Sequence, residues 1–542
     1  MDYKKLSELI FPNVTVTPEE LEEKYPKREL KEGARVTRFA PSPTGFIHLG
    51  GLYQALLDSH IAHQSGGVFF LRIEDTDRKR LVDGAIDGII NTFSSFGIEF
   101  DEGATADGEK GSYGPYRQSE RKEIYHVFAK KLMSEGRAYP CFCTPEELEA
   151  QHERQTAAKA DPGYYGEYAV CRNLPLEEIE KRLAENKPYI VRFRSEGDKT
   201  KTVAFKDEIK GELLVPQNDN DFVLLKSDGL PTYHFAHAVD DHLMRTTVVV
   251  RGEEWLSTLP YHLELFYALG FKRPQFAHTA HIMKNENGGK RKLSKRKDPE
   301  AAVTYYAENG YTAEAVKEYL WTLLSSSFEE WRRVNPTLPS SEFKLKLSKM
   351  SISGCLFDMD KLNDVSRNYL SRLSGAEVMA LLDSWAPEHD KALYTLMEKD
   401  RAKIEAIVSV GRGGQKPRKD LTTLKDVFPY VSYFFEEHFV PSESEKLKSP
   451  DARAILADYA SVWSENDEQT EWFEKIKALA ARHGYCPDTK QYKADPMGYK
   501  GHVGDVSAII RLAVTGREST PDMCAVMKIL GKETVIKRLL AE

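Results

Sequence analysis

The sequence predicts an α/β fold with a parallel sheet at its amino-terminal end. Residues 36–93 alternate strand and helix patterns with short links, as a βαβ unit does. The run GVFFLRIED, residues 67–75, is almost wholly apolar, the composition of a strand covered on both faces. At 542 residues the chain also exceeds the roughly 250–300 residues at which a single core stops growing, so further domains are expected.

Taken in order, RVTRFA carries β-branched and aromatic residues and reads as a strand entering a proline–glycine loop. Pro41, Pro43 and Gly45 give that loop a sharp course. From Gly50 the spacing becomes helical, with Leu52, Ala55, Leu56 and Ser59 on one side. After the 67–75 strand, Ile86, Ile89, Ile90 and Phe93 mark the next helix. The ligand of such a unit sits at the carboxyl ends of the strands. Gly50 and Gly51 would let it reach bare backbone at a helix start, where free N–H groups and the helix dipole favour a phosphate and His48 can donate to it. The same glycines equally suit a loop that only turns, and one HxGG stretch does not separate the two.

The chain is 41% apolar and 30% charged, an ordinary globular balance. No apolar run approaches the roughly 18 residues of a membrane span, and MDYKKLSELIFPNVTV lacks the apolar stretch of a signal peptide. A cytoplasmic protein with no membrane partner is expected. The formal charge of −8 argues against general affinity for nucleic acid. KNENGGKRKLSKRK, residues 284–297, runs against that trend: Lys284, Lys290, Arg291, Lys292, Lys295, Arg296 and Lys297 face only Glu286. Its ligand would be anionic, although such a run alone is also an ordinary solvated cluster and lacks the residue order of a P-loop.

Together, PSPTGFIHLGG and KLSKRK resemble the two signature motifs of class I aminoacyl-tRNA synthetases, known as HIGH and KMSKS. RFAPSPTG, LRIEDTD, GPYRQSER, PTYHFAHAVDDHLM, VVRGEEW and KLSKR, in that order, narrow the resemblance to the bacterial glutamyl-tRNA synthetases. SISGCLFDMDKLNDVSRNYL, LAVTGRESTPDM and ILGKETVIKRL extend it toward the C-terminus. Residues 325–350 match the family pattern poorly, and the leader before Arg38 is longer than usual. The resemblance implies a Rossmann-type parallel-sheet catalytic domain, split by an acceptor-binding insertion and followed by an all-α anticodon-binding region. The expected divisions are an extension over 1–34, catalytic halves over 35–112 and 226–297 around an insertion at 113–225, a stem-contact linking domain over 298–375 and a helical domain over 376–542.

The activity so implied is ATP-dependent attachment of L-glutamate to the 3′ end of tRNA(Glu) through a glutamyl-adenylate, with Mg2+ bridging phosphate oxygens. Some relatives also charge tRNA(Gln), and a monomer is expected. By this resemblance His48, Lys292 and Lys295 are catalytic, stabilising phosphate charge from two sides. Thr44, His48, Gly50, Gly51, Glu254, Leu293, Ser294 and Lys295 would contact ATP. Arg38 and Arg251 would pair with the substrate's side-chain carboxylate, because a guanidinium fork suits a carboxylate and meets an amide NH2 donor to donor. Tyr233 would donate to the same group, and Ser42 and Glu74 would hold the ammonium beside the Ala40 backbone. His237 stands where the family usually carries an asparagine for the α-carboxylate. Plainer readings are a surface cation for Arg251, a charged loop around Glu74, and a packed ring for His237.

Of six cysteines, Cys141, Cys143 and Cys171 lie close in sequence, which points to a metal before a disulfide. The pattern resembles a structural zinc site that many family members carry in the insertion. Three thiolates need a fourth ligand. The family's tyrosine position is Glu167 here, so Tyr165 is the expected substitute, with Tyr168 and His152 nearby; three free buried thiols are the alternative. VFPYVSYFFEEHF could stack bases, or form helical core through Val427, Tyr430, Val431 and Phe434. Shortened relatives that glutamylate a modified tRNA nucleoside lack the C-terminal region, which argues against that assignment. A non-catalytic RNA-binding paralogue would be expected to lose His48, Lys292 or Lys295, and all are present.

Overall fold

The computed structural model describes every residue except 44, 46, 78–81, 83, 295, 415 and 542. Thr44 and Lys295 therefore lie outside the described residues. The chain divides into two units, residues 1–305 with 320–358, and residues 306–319 with 359–542.

The first unit opens with helices α1 (Tyr3–Ile10) and α2 (Pro18–Lys24), capped by Asp2 and by a Thr17–Glu20 capping box. Then come β1 (Val36–Phe39), α3 (Leu49–Gln64), β2 (Val68–Leu71), α4 (Ala85–Ser95), β3 (Glu102–Thr105) and β4 (Gly108–Lys110). Strands β1 and β2 pair in parallel, Val36 opposite Val68 and Phe39 opposite Leu71. β3 continues parallel to β2, and β4 turns back antiparallel. Leu52, Ala55, Leu56 and Ser59 are buried, as their spacing requires.

Helix α3 is covered on its other side as well, with Leu49, Tyr53, Leu57 and Ile61 buried. Residues 320–358 reach α3 at Tyr53, whose hydroxyl is 3.7 Å from Cys355 Sγ, and at His60 and Gln64. His60 Nε2 lies 2.7 Å from the Phe343 carbonyl and its ring meets Trp321 edge-on, while Gln64 donates to the Leu345 carbonyl at 3.2 Å.

Next come α5 (Lys122–Ser134), β5 (Ala138–Cys141), α6 (Pro145–Ala157), α7 (Leu176–Ala184), β6 (Ile190–Phe193), β7 (Thr202–Asp207), β8 (Gly211–Pro216) and β9 (Val223–Leu225). β5, β6 and β9 form an antiparallel sheet. The chain returns through α8 (Tyr233–Leu243), β10 (Val248–Gly252), α9 (Leu259–Leu269) and β11 (Gln275–Thr279). β10 and β11 are parallel, Arg251 opposite His278, and the β7–β8 hairpin joins them, Asp207 opposite Phe276. β1 lies beside β10, since Thr247 N–H donates to the Val36 carbonyl at 2.9 Å and the Val36 N–H to Thr247 Oγ1 at 2.7 Å.

β12 (Ile282–Glu286) and β13 (Gly289–Lys292) form a hairpin whose turn residues Asn287 and Gly288 have φ of +50° and +80°. Two positive φ values are the requirement of the tight hairpin turn that follows strand twist. β14 (Cys355–Leu356) adds in parallel to β12. The basic run is thus a hairpin and the loop after it.

The leader is docked. Tyr25 donates to the Gly114 carbonyl at 2.9 Å, Arg28 grips Glu102 with two bonds of 2.7 and 2.9 Å, and Glu22 pairs with Arg245 at 2.7 Å. The second unit is built from helices around a core that includes Leu382, Ile404, Tyr459, Ile510 and Val526. Val427, Val431 and Phe434 are buried in it, so that aromatic run is core. No described helix is long and apolar enough to cross a membrane.

Candidate functional site

The segments that extend β1 and β2 run side by side past the sheet: Arg72 N–H donates to the Phe39 carbonyl and Glu74 N–H to the Pro41 carbonyl, each at 3.0 Å. This sets Glu74 beside residues 38–42. His48 is the N-cap of α3, and its Nδ1 accepts the Gly51 N–H at 3.0 Å. That bond puts the ring proton of a neutral His48 on Nε2. The Gly51 amide is thereby used within the protein, a correction to the expectation that it stays open for phosphate. A Cβ on Gly50 would meet the His48 ring at 3.0 Å, and one on Gly51 would meet Ile47 at 3.3 Å. The glycine pair thus makes room for the folded-back ring and for close packing.

A cavity of about 340 Å3 opens at this crossing, lined by Arg38, Ala40, Ser42, His48, Gly50, Gly51, Glu74, Tyr233, Arg251 and Glu254, with Gln54 and Trp255. The structure brings these sequence-selected residues together. Arg38 is buried and committed, its Nε 3.1 Å from Asp241 Oδ1. Arg72 reaches the same oxygen at 2.7 Å and Glu74 at 3.3 Å. Burial pushes the Glu74 carboxyl up to about 7, against the pull of Arg72 and Arg38. Arg251 is buried too, yet it bonds to two imidazoles.

His237 departs from expectation. It does not line the cavity; it is fully buried behind it, with Nδ1 2.5 Å from Asp241 Oδ2 and its ring stacked beside Tyr233. One turn of α8 separates His237 from Asp241, so helical spacing alone puts the two together.

An adjoining cavity of about 170 Å3 shares His48, Gly50, Gln54 and Glu254 and adds Lys292, Leu293, Gly252, Ala280 and His281. Lys292 Nζ is 3.7 Å from Glu254. Ser294 lines neither cavity, and its N–H donates to Asp298 at 2.9 Å. Asp298 also takes two bonds from Arg291, of 2.6 and 2.7 Å, which clamps the basic loop. Reading the sequence missed Asp241, Asp298, Gln54 and Trp255. For Asp241 a signal existed, an acid among the apolar positions of AVDDHLM.

The ligand atoms of Cys141, Cys143 and Cys171 all lie within 4.8 Å of one another, with Cys143 and Cys171 sulfurs 3.6 Å apart. Tyr165 is not beside them; its hydroxyl donates to the Asp161 carbonyl at 2.7 Å. Tyr164 takes that place, its oxygen 3.4 Å from Cys141 Sγ and 3.2 Å from Cys143 Sγ, and it accepts the Cys171 N–H at 3.0 Å. Hydrogen bonds from the other two thiols push the Cys141 thiol toward its thiolate.

Sheet, helix terminus and paired cavities together have the form of a class I tRNA synthetase. The family described as tRNA synthetases class I (E and Q), catalytic domain, matches residues 35–364, and an anticodon binding domain matches residues 377–541. The chain belongs to the glutamate–tRNA ligases. It is 52% identical over 542 residues to the glutamate–tRNA ligase of Acetivibrio thermocellus, covering 99% of each chain. It is 48% identical to that of Clostridium perfringens strain 13, over 99% of this chain and all of the relative. A crystal structure of a glutamate tRNA ligase from Elizabethkingia meningosepticum in complex with its amino acid aligns with a TM-score of 0.74 at 31% identity, covering 93% of this chain and 98% of that one.

Proposed function

We propose that this chain attaches L-glutamate to the 3′ end of tRNA(Glu), first joining the amino acid to AMP and releasing pyrophosphate. The observation that carries the reading is the pair of contiguous cavities: the buried guanidiniums of Arg38 and Arg251 and the Glu74 carboxylate face the first, and His48 and Lys292 face the second. Glutamate's side-chain carboxylate meets Arg251 and Tyr233, and its ammonium meets Glu74 and Ser42, with Ala40 alongside. Arg38 completes the wall while anchored on Asp241. His48 Nε2 donates to a phosphate oxygen, and Lys292 neutralises charge on the leaving pyrophosphate. By family resemblance Lys295 and Thr44 join them, and Leu293 and Ser294 shape the loop that carries Lys295.

No covalent protein nucleophile is needed. The substrate α-carboxylate attacks the α-phosphorus, the bond to pyrophosphate breaks, and a terminal ribose hydroxyl later displaces AMP from the anhydride. The chain's task is positioning and charge stabilisation. Glu254, the one carboxylate lining the second cavity among the described residues, would face Mg2+ arriving with ATP, and that ion would supply neutralisation of phosphate charge. For zinc, a tetrahedral site with Zn–S near 2.3 Å needs sulfurs about 3.8 Å apart. The 3.6 Å separation fits, and we assign Tyr164 as the fourth ligand of a structural ion with Cys141, Cys143 and Cys171. Residues 113–225 are assigned to the acceptor end and residues 376–542 to the anticodon.

Glutamate-dependent ATP–pyrophosphate exchange, run with and without total tRNA, tests the proposal. Absence of exchange in both arms defeats it. Charging purified tRNA(Glu) and tRNA(Gln) side by side then defines the acceptor.

A further inference from the structure

Three buried arginines of the catalytic unit, Arg38, Arg72 and Arg121, each pair with Asp240 or Asp241. Arg251 does not. Its Nε donates to His278 Nε2 at 3.0 Å and its Nη1 to His262 Nδ1 at 3.0 Å, and its guanidinium stands 4.8 Å over the Phe276 ring. No carboxylate lies within ion-pair distance of it among the described residues.

An arginine can only donate, so both imidazoles must offer it a bare nitrogen. That requirement fixes the rest of the chain of bonds. His278 carries its proton on Nδ1 and gives it to Asp207 Oδ2 at 2.6 Å. His262 carries its proton on Nε2 and gives it to His234 Nδ1 at 2.9 Å. Asp207 is itself held by the Ile209 and Lys210 N–H groups at 2.9 and 2.8 Å. The contributing elements are β10, β11, α8, α9 and the end of β7, five separate pieces of chain. His262 and His278 are fully buried, and burial together with Arg251 keeps both rings below the ordinary imidazole range, hence neutral. Arg251 Nη2 is left without a hydrogen bond of its own, on a side chain that lines the cavity.

We propose that His262 and His278, oriented by His234 and Asp207, are positioning residues that aim Arg251 into the amino-acid cavity without neutralising it, and so set the preference for a carboxylate over a carboxamide. Arg38, already paired with Asp241, contributes shape to the pocket and little to that choice. This inference rests on reading the cavity as the glutamate site.

The test uses the full-length protein and measures KM for glutamate, KM for ATP and competition by glutamine. His262→Phe keeps an aromatic ring but removes the acceptor; it should raise the glutamate KM about tenfold or more, lower the glutamate-to-glutamine ratio in step, and leave the ATP KM within about twofold. His262→Asn and His278→Gln each keep an acceptor near the lost nitrogen and should restore glutamate KM to within about threefold. Equal changes in glutamate and ATP KM, or an unchanged glutamate-to-glutamine ratio, overturn the proposal. Arg251→Gln separates the two levels: if it leaves glutamate KM unchanged the pocket reading itself fails, and if it alone abolishes the preference only the imidazole cradle fails.

Discussion

Removing the charge of Asp241 should loosen the catalytic unit and its pocket together. Asp241 is fully buried and accepts from Arg38 at 3.1 Å, from Arg72 at 2.7 Å and from Thr246 at 3.2 Å. Asp241→Asn keeps the size and one acceptor but leaves two guanidinium ions in low dielectric with less counter-charge. Breaking a buried ion pair by removing one partner costs roughly 3–5 kcal/mol, a large share of the roughly 5–15 kcal/mol that holds a domain folded. With a urea slope of about 2–3 kcal/mol/M, the midpoint of the catalytic unit's transition falls by more than about 1 M. The arginines hold the Asp241 carboxyl well below the usual carboxylate range. A depressed acid stabilises fully above its unfolded value near 4 and loses that contribution as pH falls toward its folded value. The parent protein should therefore shed stability below about pH 4 more steeply than the variant. Urea titrations at pH 7, repeated at pH 4 and below, provide the measurement. A variant within about 1 kcal/mol of the parent at pH 7, with the same acid limb, refutes the reasoning.

Other expectations follow from single contacts. Lys292→Ala should lower the activation rate far more than it raises the ATP KM, as for a contact made chiefly in the transition state; an effect confined to KM counts against it. Glu74 must be ionised to receive an ammonium, and burial pushes its carboxyl up to about 7; glutamate KM should rise as pH falls through 7, by up to about tenfold per unit, and a flat profile between pH 6 and 8 contradicts the ammonium role. Metal analysis should find one zinc per chain, lost in Cys143→Ser and bound more weakly in Tyr164→Phe, whereas Tyr165→Phe retains it. Arg28→Ala removes the bidentate bond to Glu102 and a stacking contact 3.8 Å from the Tyr113 ring, and should cost about 2–3 kcal/mol in denaturant titration; a change under about 0.5 kcal/mol would mean the leader is only resting on the surface.

What could be read directly was local. Leu52, Ala55, Leu56 and Ser59 declare a buried helix face by spacing, and the motif residues declare a cavity because each type has one local task there. Residues 325–350 match the family pattern poorly and are legible from composition alone; in the structure Phe328 and Phe343 pack on Trp321, and Trp331 packs on Phe343, contacts that spacing along the chain does not show. Tyr164 is not among the residues the sequence offers, which are Tyr165, Tyr168 and His152, because a loop has no side-chain period to say which ring turns toward the thiols. Gly163 and Gly166, at φ of +159° and +51°, turn the chain on either side of Tyr164 and Tyr165, and the direction of each ring depends on those turns. The sequence leaves His237 between a substrate role, by analogy with an asparagine, and a packed ring; one turn before Asp241 it pairs with that acid and does not line the cavity. His234, His262 and His278 lie on three elements, and each alone reads as an ordinary core histidine.

The opposite treatment of two arginines in one cavity follows from what folding must tolerate. Two uncompensated guanidinium ions in one buried site would cost several kcal/mol each, and Arg38 is relieved of that cost by Asp241. Had Arg251 received an acid as well, a substrate carboxylate would meet a neutral pair and gain nothing over an amide. Neutral imidazoles resolve the conflict, since they satisfy two N–H donors and leave the charge standing. Burial pulls Arg251 down from its ordinary range, yet a guanidinium stays protonated, so the missing counter-charge must come from the ligand. Glutamine can fill the same volume but cannot supply that charge, and the NH2 half of its amide would meet the guanidinium fork donor to donor. The discrimination is thus stored in the folded protein before any substrate arrives, as an imbalance of charge around Arg251.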